Sequence, residues 1–415
     1  MKVGGPAAAV ANDRADQAAA PPRLSYAQIF WRFLRFGFLA WGGPVAQIAM
    51  IRRELVEEER WVSSSRFNRV LSVYQILPGP EAHELCVFFG MISGGRLGGF
   101  LAGLGFMLPG FVLMFALSWL YLSTDIVQTA VVAAAFLGVQ PAVIALIVRA
   151  VHRIGSHILL DRWLWGIGII GGVAALGGTP FWITLPVAGL AYVFAARRQM
   201  VPAGLLATIL VGLTLYFAWS TFGGPAAAPL AQAIAEQKPS LIELFFSGLK
   251  AGLLTFGGAY TVIPFLREDA VGSGWMTDAQ FLDGLALSGI LPAPLIIFST
   301  FVGYFGGGPL GAIVMTIGIF LPAFAFTLFF HNQLEQLIDH KGIRTFLEGV
   351  SAGVVGLIAA TTVELGYKTF VNVPGVLVPL AIFGVSLAAL YVFKAKTTVV
   401  WVVLAAAVAG LVLFQ

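Results

Sequence analysis

The chain has 415 residues, of which 59% are hydrophobic and only 11% charged, with a net charge of +4. Soluble domains carry about 25% charged residues, so this composition excludes a set of soluble domains. The small net charge, without a polybasic run, argues against nucleic-acid binding. Cys86 is the only cysteine, which excludes an intramolecular disulfide, and no Cys/His cluster has metal-ligand spacing.

In chain order, residues 1–23 are rich in Ala and Pro, lack a signal-peptide core and predict a disordered cytoplasmic tail. Six apolar segments of about 20 residues follow, each long enough to cross about 30 Å of hydrocarbon. They are 98–121, 127–148, 201–222, 309–330, 374–393 and 397–414. The sequence therefore predicts an all-α polytopic membrane protein without a cofactor.

Two series of helix breakers divide the chain into two similar halves. Trp41-Gly42-Gly43 matches Phe256-Gly257-Gly258, Pro78-Gly79-Pro80 matches Pro292-Ala293-Pro294, and Leu108-Pro109 matches Leu321-Pro322. The predicted domains are a first repeat with a connecting helix (24–222), a linker (223–240) and a second repeat (241–415). Duplicated, interrupted apolar helices are the means by which secondary transporters form a site at mid-membrane.

Basic residues indicate that the two copies have opposite orientations, because cytoplasmic loops are enriched in Lys and Arg. Loop 52–69 of the first copy holds five Arg, whereas its counterpart 267–283 holds one. The bias reverses further on, since 122–129 has no basic residue and 331–344 has two. This reversal predicts inverted repeats with the N-terminus cytoplasmic and the C-terminus periplasmic.

The broken segments have two interpretations. As re-entrant hairpins they cover 25–51 and 70–95 in the first copy and 241–266 and 281–306 in the second. As full spans they give up to 13 crossings, but then the Arg-rich loop 52–69 falls outside. We favour re-entrant hairpins on the charge bias.

Free N–H groups at interrupted helix starts carry positive partial charge and suit a small oxyanion. Arg35 and Lys250 each precede a Gly-Gly break by about two turns and could balance the charge of a dianion. The predicted substrate-binding residues are Arg35, Gly42, Gly43, Pro78, Gly79, Pro80, Lys250, Gly257, Gly258, Pro292 and Pro294. Two alternatives stay open, namely close helix packing for the Gly and Pro residues and interfacial anchoring for the two cations.

Three titratable residues follow the first Pro-Gly-Pro and have apolar counterparts in the second copy. Glu81, His83 and Glu84 are the predicted proton-coupling residues, although Glu81 could also serve only to cap the helix start. Arg52 and Arg267 are predicted entrance residues, with a solvated amphipathic helix at 52–60 as the alternative. Arg149 is assigned to the interface, at the start of a basic loop over 149–162.

These motifs resemble the long-chain, two-domain chromate ion transporter family. The likeness covers residues 25–415 and rests on Trp41-Gly42-Gly43-Pro44, Leu77-Pro78-Gly79-Pro80-Glu81-Ala82, Thr255-Phe256-Gly257-Gly258-Ala259 and Leu291-Pro292-Ala293-Pro294. It implies chromate efflux across the bacterial inner membrane, chromate resistance, sulfate as a related ligand and proton-motive force as the energy source. His83 departs from the Gln found in many relatives, which leaves a role for that side chain open.

Three alternatives remain at this stage. The first is uptake or exchange of sulfate or another tetrahedral oxyanion, the second an intramembrane enzyme acting on lipid phosphates, and the third an anion channel. The enzyme would need a clustered nucleophile or metal carboxylates, whereas only Glu81 and Glu84 lie together, so we predict no enzymatic activity. The predicted partners are chromate, sulfate, protons and the lipid bilayer, and a homodimer stays open.

Overall fold

The computed structural model describes residues 21–123, 129–220, 238–371, 375–393 and 395–414. The regular elements within these ranges are all helical, and five of the helices are long and apolar enough to cross a membrane. The all-α membrane prediction is therefore confirmed. Residues 1–20 of the predicted tail, 221–222 at the end of the predicted first repeat and 223–237 of the predicted linker lie outside the described residues.

In chain order the α-helices are α1 (Tyr26–Phe38), α2 (Gly43–Ile51), α3 (Ser64–Tyr74), α4 (Glu81–Ser123), α5 (Ala130–Ile158), α6 (Arg162–Leu176), α7 (Phe181–Ala196), α8 (Met200–Ala218), α9 (Leu241–Leu253), α10 (Ile263–Ala270), α11 (Asp278–Gly289), α12 (Phe298–Asp339), α13 (Lys341–Val371), α14 (Leu377–Val392) and α15 (Thr398–Leu413). A π-helical segment, Arg52–Glu58, follows α2, and short 3-10 helices, Ala259–Val262 and Leu295–Ile297, precede α10 and α12.

Hydroxyl side chains start the corresponding helices of the two halves. Ser25 and Ser240 form capping boxes with the residue three positions on, at the starts of α1 and α9. Thr277 forms a capping box at the start of α11, and the Ser63 hydroxyl caps α3 by accepting a hydrogen bond from the Arg66 amide. Each cap satisfies amides that a helix start otherwise leaves without partners. The two halves thus share local start signals as well as breaks.

The first broken segment folds back on itself. Arg35 of α1 forms an ion pair with Glu54, and Arg32, one turn earlier, pairs with both Glu54 and Glu59. The chain after the Gly-Gly break therefore runs back along α1, as the re-entrant interpretation predicts. In the second half, Ser247 and Lys250 of α9 both contact Asp269, which reproduces this return at the corresponding positions.

Each of α4 and α12 is a hairpin of two antiparallel arms. Gly94 and Gly95 leave helical geometry at φ −137° and +66°, and Gly307 and Gly308 do so at φ −140° and +61°. The arms pack so closely that a side chain on Gly90 would overlap the backbone of Gly98. The predicted boundary between a re-entrant segment ending at 95 and a span starting at 97 agrees with this turn.

Reciprocal contacts relate the two halves by a pseudo-two-fold axis. A Cβ on Gly79 would lie 3.3 Å from the Cβ of Ala323, and the corresponding pair, Gly110 and Ala293, is also in contact. Each Pro-x-Pro break therefore packs against the helix that carries the second Leu-Pro of the other half. The breaks of both copies consequently meet at the centre of the protein.

Helix α5 extends further than the sequence predicted. The predicted span stopped at Arg149, whereas the helix continues to Ile158. Gly155 packs against Val355, and Ile144 packs against Gly366, so α5 runs antiparallel to α13. The segment assigned to a basic loop is mostly helix, because its charged residues face cavities inside the protein rather than water outside it.

Small residues allow α5 and α15 to touch backbone to backbone. A methyl group on Gly138 of α5 would overlap the Ala406 carbonyl oxygen and the Gly410 backbone. We expect Gly138→Ala to lower the melting temperature of the purified protein, since overpacking costs about 1–3 kcal/mol. Gly384→Ala, which points into open space on α14, is the control and is expected to be neutral or slightly stabilising. Equal melting temperatures for the two variants would contradict this packing.

Candidate functional site

The breaks of the two halves enclose two neighbouring cavities. The first, of about 430 Å³, lies between the first Gly-Gly break and the second Pro-x-Pro break. Its lining includes Gly42, Gly43, Pro44, Val45, Arg149, Arg153, Tyr260, Ser288, Gly289, Leu291, Ala293 and Lys396. We call it cavity 1. Its basic side chains come from α5 and from the loop between α14 and α15.

The second cavity has a volume of about 510 Å³ and is lined by the other two broken segments, those of the second Gly-Gly and of the first Pro-x-Pro. It lies between the second Gly-Gly break and the segment that leads into the first Pro-x-Pro break. Its lining includes Pro44, Val45, Gln75, Ile76, Glu81, Arg153, His157, Asp161, Tyr192, Gly257, Gly258, Arg344 and Glu348. We call it cavity 2. Each cavity thus combines a Gly-Gly break of one repeat with a Pro-x-Pro segment of the other.

Arg153 is the one charged side chain among the described residues that lines both cavities. The contacts between α5 and α13 place it at the level of Leu357, and α13 has 31 residues centred on Gly356. Arg153, near the end of α5, is therefore level with the middle of α13, a helix about 46 Å long. A cation at this depth is costly and marks a functional site by default.

Neither Arg149 nor Arg153 forms an ion pair or a side-chain hydrogen bond with the described residues. The Glu81 carboxyl lies within electrostatic range of Arg153 across cavity 2. At the mouth of that cavity, Arg344 is paired with Glu348, with 3.0 Å between Nε and Oε1. Two guanidinium groups without a bound carboxylate leave ten N–H donors for an anion.

Asp161, at the same mouth, is committed to a structural role. Its carboxylate accepts hydrogen bonds from the amides of Trp163 and Leu164 at the start of α6 and from the Tyr192 hydroxyl. Partial burial raises the pKa of Asp161, but these hydrogen bonds outweigh burial and hold the pKa below its usual value. Asp161 is therefore ionised, and its oxygens are engaged in these hydrogen bonds. Because Asp161 does not pair with Arg153, the guanidinium group of Arg153 is available to another partner.

Helix starts add polar donors to the site. α2 begins at Gly43, its N-cap Gly42 has φ +90°, and no side chain caps its first amides. Val45 and Ala46 of that first turn line cavity 1. Uncapped amides at a helix start attract anions. A Cβ at position 42 would lie only 3.2 Å from the Lys396 backbone, so a side chain there would obstruct this wall of the cavity.

Arg35 and Lys250 lie outside both cavities. Arg35 is paired with Glu54, and Lys250 is paired with Asp269 and lies 5.3 Å from the ring centre of Phe181. The two pairs occupy corresponding places in the two repeats and hold the returning chain against its first helix. A role for these cations in substrate binding stays a prediction.

The predicted entrance residues are also paired. Arg52 contacts Glu57 at 3.1 Å and lies over the ring of Phe67. Arg267 binds Asp278 at 2.7 Å and Glu364 at 2.6 Å, beside a separate cavity of about 410 Å³. Neither lines cavity 1 or cavity 2, and their entrance role stays a prediction.

The three predicted proton-coupling residues have different surroundings. Glu81 lines cavity 2 and is 6% exposed. His83 packs among Phe106, Phe320 and Phe324, and neither of its ring nitrogens has a hydrogen-bond partner among the described residues. Both Glu84 oxygens are buried without a hydrogen-bond partner in the described part of the chain. Of the three, only Glu81 faces a cavity.

The prolines of the Pro-x-Pro breaks lie outside the cavity linings, and the first break is hydrogen-bonded to a segment that forms a cavity wall. The Gly79 amide donates to the Thr255 carbonyl at 2.9 Å, which ties the first break to the second Gly-Gly segment. Pro80 directly precedes α4, and its carbonyl oxygen accepts hydrogen bonds from the His83 and Glu84 amides. Pro78, Pro292 and Pro294 do not line either cavity. Direct binding by these prolines stays a prediction.

Sequence reasoning missed Arg149, Arg153 and Lys396. Arg149 and Arg153, with His157, recur every four residues, which places them on one face of a helix. That spacing predicts a helix with one basic face, but the prediction was not made because these residues were assigned to a loop. Within the described ranges, no group of three His, Cys, Asp or Glu side chains could hold a metal ion.

Comparisons with known proteins agree with this architecture. The family model described as chromate transporter matches residues 27–215 and 242–411, two stretches that correspond to the two halves. The chain is 61% identical to a chromate transport protein of Pseudomonas aeruginosa over 396 residues, covering 95% of this chain and 94% of the relative. It is 29% identical to a chromate transport protein of Cupriavidus metallidurans, with 95% and 94% coverage. No solved structure matches.

Proposed function

This chain belongs to the chromate transporter family, and we propose that it carries chromate across the membrane by way of cavities 1 and 2. The observation that carries the proposal is the pair of arginines without carboxylate partners, Arg149 and Arg153, at the meeting point of the broken helices. Two positive charges match the two negative charges of chromate. Guanidinium forks also match the oxygen edges of a tetrahedral oxyanion.

The order of the side chains suggests a route. Cavity 2 holds His157 and Arg344 at its outer end and Arg153 at its inner end. Cavity 1 continues from Arg153 to Arg149 and the uncapped start of α2. A dianion would enter cavity 2, bind Arg153 and pass to Arg149 without losing its charge partners. Relative motion of the two repeats would then expose cavity 1 to the opposite face.

We propose export, with cavity 2 open to the cytoplasm. Cavity 2 is lined by the basic side chains of Arg153, His157 and Arg344. These support the orientation, since basic loops stay cytoplasmic. In this arrangement the N-terminus is cytoplasmic, the C-terminus periplasmic and the membrane the bacterial inner membrane. Export in this direction would lower intracellular chromate and confer chromate resistance.

We also propose coupling to the proton-motive force, with Glu81 as one of the titrating groups. Glu81 lines the same cavity as Arg153 and lies within its electrostatic range. An ionised Glu81 would neutralise Arg153 in the empty site, and a proton on Glu81 would free Arg153 for the anion. Protonation of Glu81 would then raise the affinity of cavity 2 for the anion on the side to which that cavity is open.

Transport by the purified protein in liposomes tests the function directly. We expect saturable uptake of radiolabelled chromate that increases with an imposed pH gradient and falls when an ionophore collapses it. Protein-free liposomes give the background, and excess sulfate measures selectivity. Flux that does not saturate would favour a channel, and sulfate carried in preference to chromate would favour the alternative substrate. Absence of chromate flux would contradict the proposal.

A further inference from the structure

A buried carboxylate lies beyond cavity 1, away from cavity 2. Asp283 of α11 is 6% exposed. Its Oδ2 accepts a hydrogen bond from the Tyr121 hydroxyl at 2.9 Å, and its Oδ1 accepts one from the Gln140 side-chain amide at 3.1 Å. Asp283 has no ion pair among the described residues. A buried carboxylate held only by neutral donors is costly, and a costly ionisable group inside a membrane protein is a candidate for function.

The position of this cluster along α11 is informative. The helix starts at Asp278, which is tied to Arg267 and Lys368 near one end of α13. It ends at Ser288 and Gly289, which line cavity 1. Asp283 lies five residues, about 7.5 Å, from Asp278 and the same distance from Ser288. Along α11, Asp283 therefore lies between cavity 1 and the start of the helix.

The cluster also joins the two repeats. Tyr121 lies near the end of α4 and Gln140 lies on α5, both in the first repeat, whereas Asp283 belongs to the second. Any movement that separates α11 from α4 and α5 would therefore break these two hydrogen bonds. α5 also carries Arg149 and Arg153, so the anion site and the cluster share one helix.

Few charges surround the carboxyl group. Tyr121 is the titratable side chain that contacts it from α4, and Gln140 is the neutral contact from α5. On α11 itself the neighbouring charge, Asp278, is already balanced by Arg267 and by Lys368 of α13. α15 contains no titratable residue, and the part of α12 nearest to α11 presents Phe298 and Phe301. The charge of Asp283 is therefore not neutralised by a neighbour.

We infer that Asp283 is a protonatable gate between cavity 1 and the face at which α11 begins. This inference rests on the proposed transport of chromate. Its ionised carboxylate, held by Tyr121 and Gln140, closes the route and repels a dianion. A proton taken from water at that face neutralises the carboxylate and lets the hydrogen bonds open. As the gate closes again, the proton leaves to the water of cavity 1, so one proton crosses against the anion.

The test compares two modes of transport in liposomes. Chromate exchange at equal pH on both sides requires no net proton movement, whereas uptake driven by a pH gradient does. We expect Asp283→Asn to keep exchange at about the wild-type rate and to lower gradient-driven uptake roughly 5- to 150-fold, the usual range of coupling between sites. Asp283→Glu, which keeps the carboxyl group, is expected to recover part of the gradient-driven uptake.

Glu243→Gln is the matched control, because Glu243 is an exposed acid at the start of α9, outside both cavities. Gradient-driven uptake by Asp283→Asn at the wild-type rate would overturn the gate. Loss of both modes would also overturn it, since a purely structural role predicts that result. If the wild-type protein shows no chromate exchange at all, the proposed function fails, and that outcome is distinct from failure of the gate alone.

Discussion

Replacement of Arg153 by alanine is expected to abolish chromate transport while the protein still folds. Arg153 is the one charged side chain among the described residues that lines both cavities, and it lies level with the middle of α13 without an ion-pair partner. A hydrogen bond to a charged group contributes about 1.5–3 kcal/mol. Loss of a two-bond guanidinium contact should therefore weaken chromate binding by roughly 100-fold or more, since each 1.4 kcal/mol is a factor of ten.

Two further variants separate charge from shape. Arg153→Lys keeps the positive charge but loses the planar fork, so we expect weak residual transport. Arg162→Ala is the matched control, because Arg162 is an exposed arginine at the start of α6, stacked on Trp163 and outside both cavities. Transport in liposomes gives the activity, and the melting temperature in detergent gives the integrity of the fold. Wild-type transport by Arg153→Ala would contradict the proposed site.

The sequence predicted the framework of the site better than its charged groups. Gly42-Gly43 and Gly257-Gly258 were predictable as breaks, because glycine pairs interrupt apolar helices and these two pairs occupy matching positions in the repeats. The structure has these pairs in two adjoining cavities. Arg35 and Lys250 were predicted to bind substrate because they stand alone in apolar helices. Their partners, Glu54 and Asp269, return from 19 residues away in sequence, which no local pattern reveals.

Arg153 was missed for a related physical reason. Hydropathy detects a helix that faces lipid, but α5 faces cavities along its last three turns and therefore carries charge there. A basic segment next to an apolar one then resembles a cytoplasmic loop. Asp283 was missed because its partners, Tyr121 and Gln140, are 162 and 143 residues away. Contacts between repeats depend on tertiary packing, which local patterns in the sequence do not reveal.

Glu81→Gln is expected to change the pH dependence of chromate binding. We propose that, in the wild-type protein, the ionised Glu81 carboxylate competes with the anion for Arg153 across cavity 2. Lower pH adds a proton to Glu81 and frees Arg153, so wild-type affinity should rise as the pH falls. Glutamine is neutral at every pH and has nearly the same shape. Glu81→Gln should therefore bind chromate at high pH as tightly as the wild type binds it at low pH.

Chromate itself takes up a proton in mildly acidic solution, so the informative quantity is the ratio of variant to wild-type affinity at each pH. We expect this ratio to be near one at low pH and to rise to roughly tenfold at high pH, a coupling of about 1.4 kcal/mol. Equilibrium binding to the purified protein measures it without transport. Glu348→Gln, on an acid of the same cavity that is paired with Arg344, is expected to keep the ratio constant. A constant ratio for Glu81→Gln would return Glu81 to a capping role at the start of α4, because loss of a cap alters stability but not the competition for Arg153.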